Sequence, residues 1–158
     1  MYDDRNEDQQ KLRVQQLFAS FREVNQVLHQ SMIRWTQRFG ITPVQYFVLK
    51  SVLECPGIGL GELADKIHSV TSTTSGIVDR LVKAGWVHRE RPEQDRRSIK
   101  LSLTTEGEAF ILQLTELRLT NLAIALEQLP EEDAEDLQRI HSEIVRILHR
   151  QREGENDE

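Results

Sequence analysis

Between positions 80 and 100 the sequence carries seven basic side chains, Arg80, Lys83, Arg89, Arg91, Arg96, Arg97 and Lys100, against three acids, Glu90, Glu93 and Asp95. A cluster of that sign can neutralise phosphates and release their counterions. The same run also fits a solvated surface hairpin, and charge alone does not separate the two. Just upstream stand Thr71, Ser72, Thr73, Thr74, Ser75 and Gly76. Their hydroxyls and backbone amides suit phosphate oxygens, and the threonine methyls suit thymine. Groups for other chemistry are scattered. His29, His68, His88, His141 and His149 have no ligand spacing on one helix face, and neither a glycine-rich phosphate loop nor a nucleophile elbow is present. Catalysis, a metal and a cofactor are therefore not expected. Cys55 is the one cysteine, which excludes an internal disulfide. With no activating partner evident in the sequence it reads as a small hydrophobe, the alternative being a redox thiol.

The net charge of −6 opposes a polyanionic partner until its distribution is considered. Residues 1–8 and residues 151–158 each hold four acids and one base, so the body between them is neutral and the basic cluster survives within it. The length of 158 residues and the 38% hydrophobic content describe one folded unit with a real core. The first residues lack the basic start and apolar stretch of a signal peptide, and no apolar run approaches the ~20 residues that cross a bilayer. A cytoplasmic protein without a membrane partner is the expectation.

The elements that must carry these residues follow from periodicity. Residues 9–39 contain no proline or glycine, and Val14, Leu17, Phe18, Phe21, Val24, Val27, Leu28, Met32 and Trp35 recur at helical spacing, with Gly40 as the C-cap. Thr42-Pro43-Val44-Gln45 has the form of a capping box opening a second helix that runs to about Glu54, before Pro56-Gly57. Leu60, Leu63, Ala64 and Ile67 mark a short helix; after the hydroxyl-rich stretch, Ile77, Val78, Leu81 and Val82 mark the next, whose first turns should face outward. Past Gly85 the period changes to two, with Ile99, Leu101 and Leu103 inward and residues 86–91 as the partner strand. The polar loop 92–98 between them can project as a wing. Thr104 or Thr105 caps a long helix, Thr105 and Glu108 being spaced as a capping box, and Pro130 with Glu131, Glu132 and Asp133 starts the last one.

The order of long helix, capped helix, helix-turn-helix, wing and two long helices resembles the MarR family of bacterial transcription factors over essentially the whole chain. The resemblance rests on Asp95-Arg96-Arg97 followed by Ile99-Lys100-Leu101-Ser102-Leu103-Thr104, supported by residues 41–46, by Glu62-Leu63-Ala64 and by residues 77–87. It implies a mainly α fold with a small β-hairpin wing. In one MarR-type domain spanning 1–158, helices at about 9–39 and 104–152 would dimerise and a winged helix-turn-helix lobe at about 42–103 would bind DNA. It also implies a homodimer; a monomer folding its long helices back is the alternative.

A helix-turn-helix enters the major groove with the first residues of its second helix, here Thr71, Ser72, Thr73, Thr74, Ser75 and Gly76. No arginine or glutamine stands there to pair with a base edge, and many family members carry a basic residue in place of Gly76. The wing is therefore expected to contribute more. By resemblance Arg97 is the arginine inserted in the minor groove, Asp95 holds its fork, and Arg96 meets a phosphate. Arg80, Arg89, Arg91 and Lys100 are further candidate contacts. The partner is then double-stranded DNA with a pseudo-palindromic operator, and the default action is repression of nearby genes. The family also implies release by a small molecule or oxidant, with Trp35, Phe39, Tyr46 and Phe47 as candidate pocket residues, although aromatics at this spacing are more often core. A winged-helix module that binds a protein instead of DNA is the rival, and the arginine pair at 96 and 97 argues against it.

Overall fold

A computed structural model of the chain describes residues 3–90 and 99–155, with the side chains of 7–90 and 99–151. The described elements are α1 (Asp3–Gln37), α2 (Pro43–Glu54), β1 (Ile58–Gly59), α3 (Leu60–Lys66), α4 (Thr71–Lys83), β2 (Val87–Glu90), β3 (Lys100–Leu103), α5 (Thr105–Leu126) and α6 (Glu131–Glu155). They fall into two compact units, Met1–Leu112 and Gln113–Glu158.

In the first unit, local sequence sets the helix ends. Helix α1 begins at Asp3 where 9 was expected, since nothing in residues 3–8 breaks a helix. It closes in a Schellman motif: Ile41 N–H reaches the carbonyl of Thr36 at 3.3 Å and Gly40 N–H that of Gln37 at 3.2 Å, with Gly40 at φ +70°. The capping box at α2 is formed as expected, Gln45 N–H donating to Thr42 Oγ1 at 3.3 Å and Thr42 N–H to Gln45 Oε1 at 2.8 Å. Helix α4 ends like α1, with Trp86 N–H on Leu81 O and Gly85 N–H on Val82 O, both at 3.0 Å. Gly85 sits at φ +78°, where a Cβ is disfavoured. The turn between α3 and α4 repeats this geometry without glycine. Ser69 N–H bonds to Ala64 O at 2.9 Å, His68 N–H bonds to Asp65 O at 3.1 Å, and His68 takes the left-handed position at φ 53°.

The hairpin is the expected one, but it belongs to a three-stranded antiparallel sheet of order β1-β3-β2. Leu101 of β3 lies between Ile58 on one side and Arg89 on the other, and Val87 faces Leu103. Strand β1 was not anticipated, because two residues carry no periodicity and the pairing is nonlocal. The core of this unit gathers Val48, Leu49 and Val52 from α2, Leu63 and Ala64 from α3, Val78 and Leu81 from α4, and Ile58, Val87 and Leu101 from the sheet, all at 3% exposure or less. Each of the leucines stabilises the fold by ~1.5–3 kcal/mol through burial alone.

The cap of α5 corrects the expected Thr105–Glu108 box. Thr104 is the capping residue: its Oγ1 accepts from Gly107 N–H at 3.0 Å and donates to the carbonyl of Gly85 at 2.6 Å. Helix α5 is also long and apolar enough, by length and composition, to cross a membrane. Glu116 and Arg118 stand inside that stretch, so no uninterrupted apolar run reaches the length expected of a membrane span.

In the second unit, α6 starts at Glu131, with Ala134 N–H bonded to the carbonyl of Pro130 at 3.0 Å. Proline thus stands just before the helix, and Glu131, Glu132 and Asp133 occupy its first turn. The polar face carries ion pairs at Asp136–Arg139 (2.8 Å) and Glu143–Arg146 (2.6 Å). The apolar stripe of Leu137, Ile140, Ile147 and Leu148 is close to half exposed.

Candidate nucleic-acid interface

Helix α4 presents three faces, and the hydroxyl-rich stretch is divided among them. Thr74, Val78 and Leu81 point into the core at 0% exposure. Thr74 Oγ1 donates to Val70 O at 3.1 Å, so Thr74 is withdrawn from the surface expected to meet DNA. The opposite face exposes Ser72, Thr73, Gly76, Arg80 and Lys83, whose spacings of three and four align them, and Thr71 is exposed at the first turn. A Cβ on Gly76 would meet nothing within 4 Å, so this face is open at that point. Val70 is the N-cap and supplies no side-chain bond, which leaves the first amides of the helix without a capping oxygen.

The third face turns toward β2. Arg89 reaches across from the strand, its Nη1 at 2.8 Å from Asp79 Oδ1, while Nη2 donates to the backbone carbonyl of Ser75 at 3.3 Å and to Ser75 Oγ at 3.4 Å. Ser75 is half-buried and engaged here. Arg89, expected to contact a phosphate, is thus bonded within the chain to α4. Its charge is in the sequence, but the partners lie ten and fourteen positions away on another element, a pairing that no helical or strand period announces.

On β3, Lys100 is exposed and registers against Glu90 and Gly59. His88 Nε2 lies 3.7 Å from Glu90 Oε1 on the outer side of β2. The remaining candidates Arg91, Asp95, Arg96 and Arg97 lie outside the described residues.

The expected aromatic pocket is packed instead. Trp35 and Tyr46 are buried and meet edge to face at 5.3 Å, with Phe39 5.4 Å from Trp35. Only Phe47, half exposed, borders open space. It lines a groove of about 580 Å³ with His29, Val44, Lys50, Lys66 and His68. At its edge Lys66 Nζ lies 3.0 Å from Glu54 Oε2 and 3.4 Å from Cys55 Sγ. The Glu54 carboxylate first, and the Cys55 sulfur second, raise the Lys66 ammonium above its ordinary pKa. Cys55 thus has a cationic neighbour that the sequence did not reveal.

The family model described as MarR family matches residues 41–99, from just before α2 to the residue preceding β3. The chain is 31% identical over 114 residues to the HTH-type transcriptional repressor MdtR of Bacillus subtilis, covering 72% of this chain and 74% of that one. A MarR family protein from Bacillus stearothermophilus superposes with a TM-score of 0.79 at 28% identity, over 88% of this chain and 97% of the other. The transcriptional repressor CouR, solved bound to a 23-mer DNA duplex, shares the fold at a TM-score of 0.69 and 24% identity, over 80% and 89% of the two chains. A mainly helical chain with a small antiparallel sheet, a family match over residues 41–99 and a 31% identical relative covered to 74% of its length make this protein a member of the MarR family of DNA-binding transcriptional regulators.

Proposed function

We propose that the protein acts as a homodimeric repressor on a pseudo-palindromic operator, with α4 in the major groove, Arg97 in the minor groove and Arg96 on a phosphate. The observation that carries this reading is the division of α4 into a buried face and an exposed one. Thr71, Ser72, Thr73, Gly76 and Arg80 are free to meet DNA beside an uncapped helix start, where backbone amides and the helix dipole favour a phosphate. Lys100 is exposed at the base of the hairpin, and Arg91 and Asp95 would be further contacts, Asp95 by pairing with Arg97. MdtR, named a repressor, and CouR, solved on duplex DNA, support the direction of regulation and the partner.

The helices at about 9–39 and 104–152 would form the dimer, leaving residues 42–103 as the DNA-binding lobe. Exposed Leu17, Phe18, Val24 and Val27 on α1, with Leu137 and Ile140 on α6, give each protomer apolar surface of the kind that a two-fold partner covers. A regulator of this kind works in the cytoplasm. The groove beside Phe47 has room for a small-molecule effector and takes the place of the aromatic set at Trp35, Phe39 and Tyr46.

Selection of duplexes from a random-sequence DNA pool tests the reading. A two-fold symmetric consensus with half-sites ~10 base pairs apart, bound by two chains per duplex, is expected. Enrichment of no sequence, or of an asymmetric one bound by one chain, would refute it.

A further inference from the structure

We propose that Arg89 is a positioning residue: its ion pair with Asp79 fixes the recognition helix against the hairpin, and operator binding depends on that link rather than on any contact between Arg89 and a phosphate. The inference rests on the DNA-binding reading above and adds how its two reading elements are held in register. Three contacts from one guanidinium to α4 define the link, the single ion-pair contact of Nη1 with Asp79 Oδ1 at 2.8 Å and the two contacts of Nη2 with Ser75 at 3.3 and 3.4 Å. They meet the helix one turn apart, so they resist both sliding and rotation of the helix against the strand. The arginine side chain is 28% exposed, and its Nε is buried with no partner among the described residues. The guanidinium is partly withdrawn from water, so its three contacts with α4 hold it more firmly than an open surface pair would be held.

Strand β2 is the route into the wing, and Arg89 lies opposite Leu101, which is fully buried. The pair therefore joins the outer edge of α4 to the inner part of the hairpin, near the core. Helix and wing must meet adjacent grooves of one duplex, so the angle between them determines whether both engage. Asp79 itself places a negative charge on the helix that approaches DNA, only one residue from Arg80. For electrostatics alone that charge is unfavourable, which gives the proposal a test of opposite sign.

The test compares Asp79→Asn, Arg89→Gln and the double variant with the wild type by fluorescence anisotropy. The probes are a duplex selected from a random pool by the wild type and a scrambled duplex of the same composition, across a salt series. Asp79 is half exposed and asparagine has its shape, so the first variant retains the fold even if the second does not. Asp79→Asn is expected to bind the selected duplex about tenfold more weakly while its affinity for the scrambled duplex holds or rises. The double variant is expected to be no weaker than the weaker single one, since coupled residues do not add. Arg89→Gln should leave the salt slope on the selected duplex at the wild-type value. The proposal is overturned if Asp79→Asn binds the selected duplex as tightly as the wild type or more tightly. It is equally overturned if Arg89→Gln lowers the slope by about one unit per protomer, as loss of a phosphate contact does. Failure of the wild type to discriminate the two duplexes would instead refute the operator-binding reading.

Discussion

Gly107 lies so close to the backbone of Trp86 that a Cβ on the glycine would stand 2.0 Å from the Trp86 carbonyl oxygen. The contact joins the first turn of α5 to the residue that leads into the hairpin. Thr104 N–H bonds to the same carbonyl at 3.0 Å, and the Trp86 indole stacks on Phe110 at 4.3 Å between centroids. The neighbouring atoms are backbone held on both sides, so they cannot yield to a methyl group. Gly107→Ala is expected to cost ~1–3 kcal/mol or more through overpacking. Thermal unfolding measured by circular dichroism checks this, and an unchanged midpoint would contradict the close approach.

Gly76 is the opposite case, since a Cβ there meets nothing within 4 Å and the residue lies inside α4. Gly76→Ala should stabilise the protein by ~0.5–1 kcal/mol, the usual helical penalty of glycine. Gly76→Arg adds a cation to the exposed face that already carries Arg80 and Lys83. It should tighten binding to duplex DNA at low salt and steepen the salt dependence by ~1 unit per protomer. An unchanged slope in an anisotropy titration would show that this face does not meet phosphates.

His68 takes φ 53° at the end of α3, in the position that Gly40 and Gly85 fill at the ends of α1 and α4. A side chain there costs ~1–2 kcal/mol relative to the right-handed region. His68→Gly relieves that strain but adds freedom to the unfolded chain, and the net gain should be ~0.5–1 kcal/mol. A chemical denaturation curve with a higher midpoint and the same slope is the expected result. A lower midpoint would mean that the imidazole contributes more than its backbone costs.

Features confined to a few consecutive residues were legible in the sequence. The box of Thr42 and Gln45 closes within four residues, and Gly40 and Gly85 punctuate their helices without help from the rest of the fold. Thr74 was legible in principle, because spacings of four and three from Val78 and Leu81 extend the apolar stripe back by one turn. Its hydroxyl hid it among neighbours of the same kind. Strand β1, the Arg89–Asp79 pair and the Lys66 neighbour of Cys55 depend on chain segments that meet only in the folded molecule. The same holds for the aromatics: residue type gave candidates for a pocket, and packing decided that Trp35 and Tyr46 fill the core while Phe47 does not.

The arginine at 97 gives the most direct check on the wing. Arg97→Ala is expected to weaken binding to a selected operator at least tenfold, from the loss of a minor-groove guanidinium, and to leave the thermal midpoint unchanged. Because Asp95 stands two residues earlier in the sequence, Asp95→Asn should weaken binding in the same direction despite removing a negative charge. Anisotropy titrations at physiological salt measure both. Unchanged affinity in Arg97→Ala would remove the wing from the binding surface.

The apolar stripes of the long helices carry the last prediction. On α6, Leu137, Ile140, Ile147 and Leu148 recur at helical spacing and are each 45–48% exposed, while Arg139 lies off that stripe in an exposed pair with Asp136. If a second copy covers the stripe, Ile140→Glu places a carboxylate in an apolar seam, and burying it unpaired costs several kcal/mol. Sedimentation velocity should then give a dimer for the wild type and a monomer for Ile140→Glu, and Arg139→Gln should remain dimeric. The wild-type thermal midpoint should rise with protein concentration, as it must when only the folded state associates. A two-fold symmetric operator needs both half-sites occupied through one rigid assembly, so the monomeric variant should also lose most of its operator affinity. An Ile140→Glu protein that stays dimeric at micromolar concentration would place the association surface elsewhere on the chain.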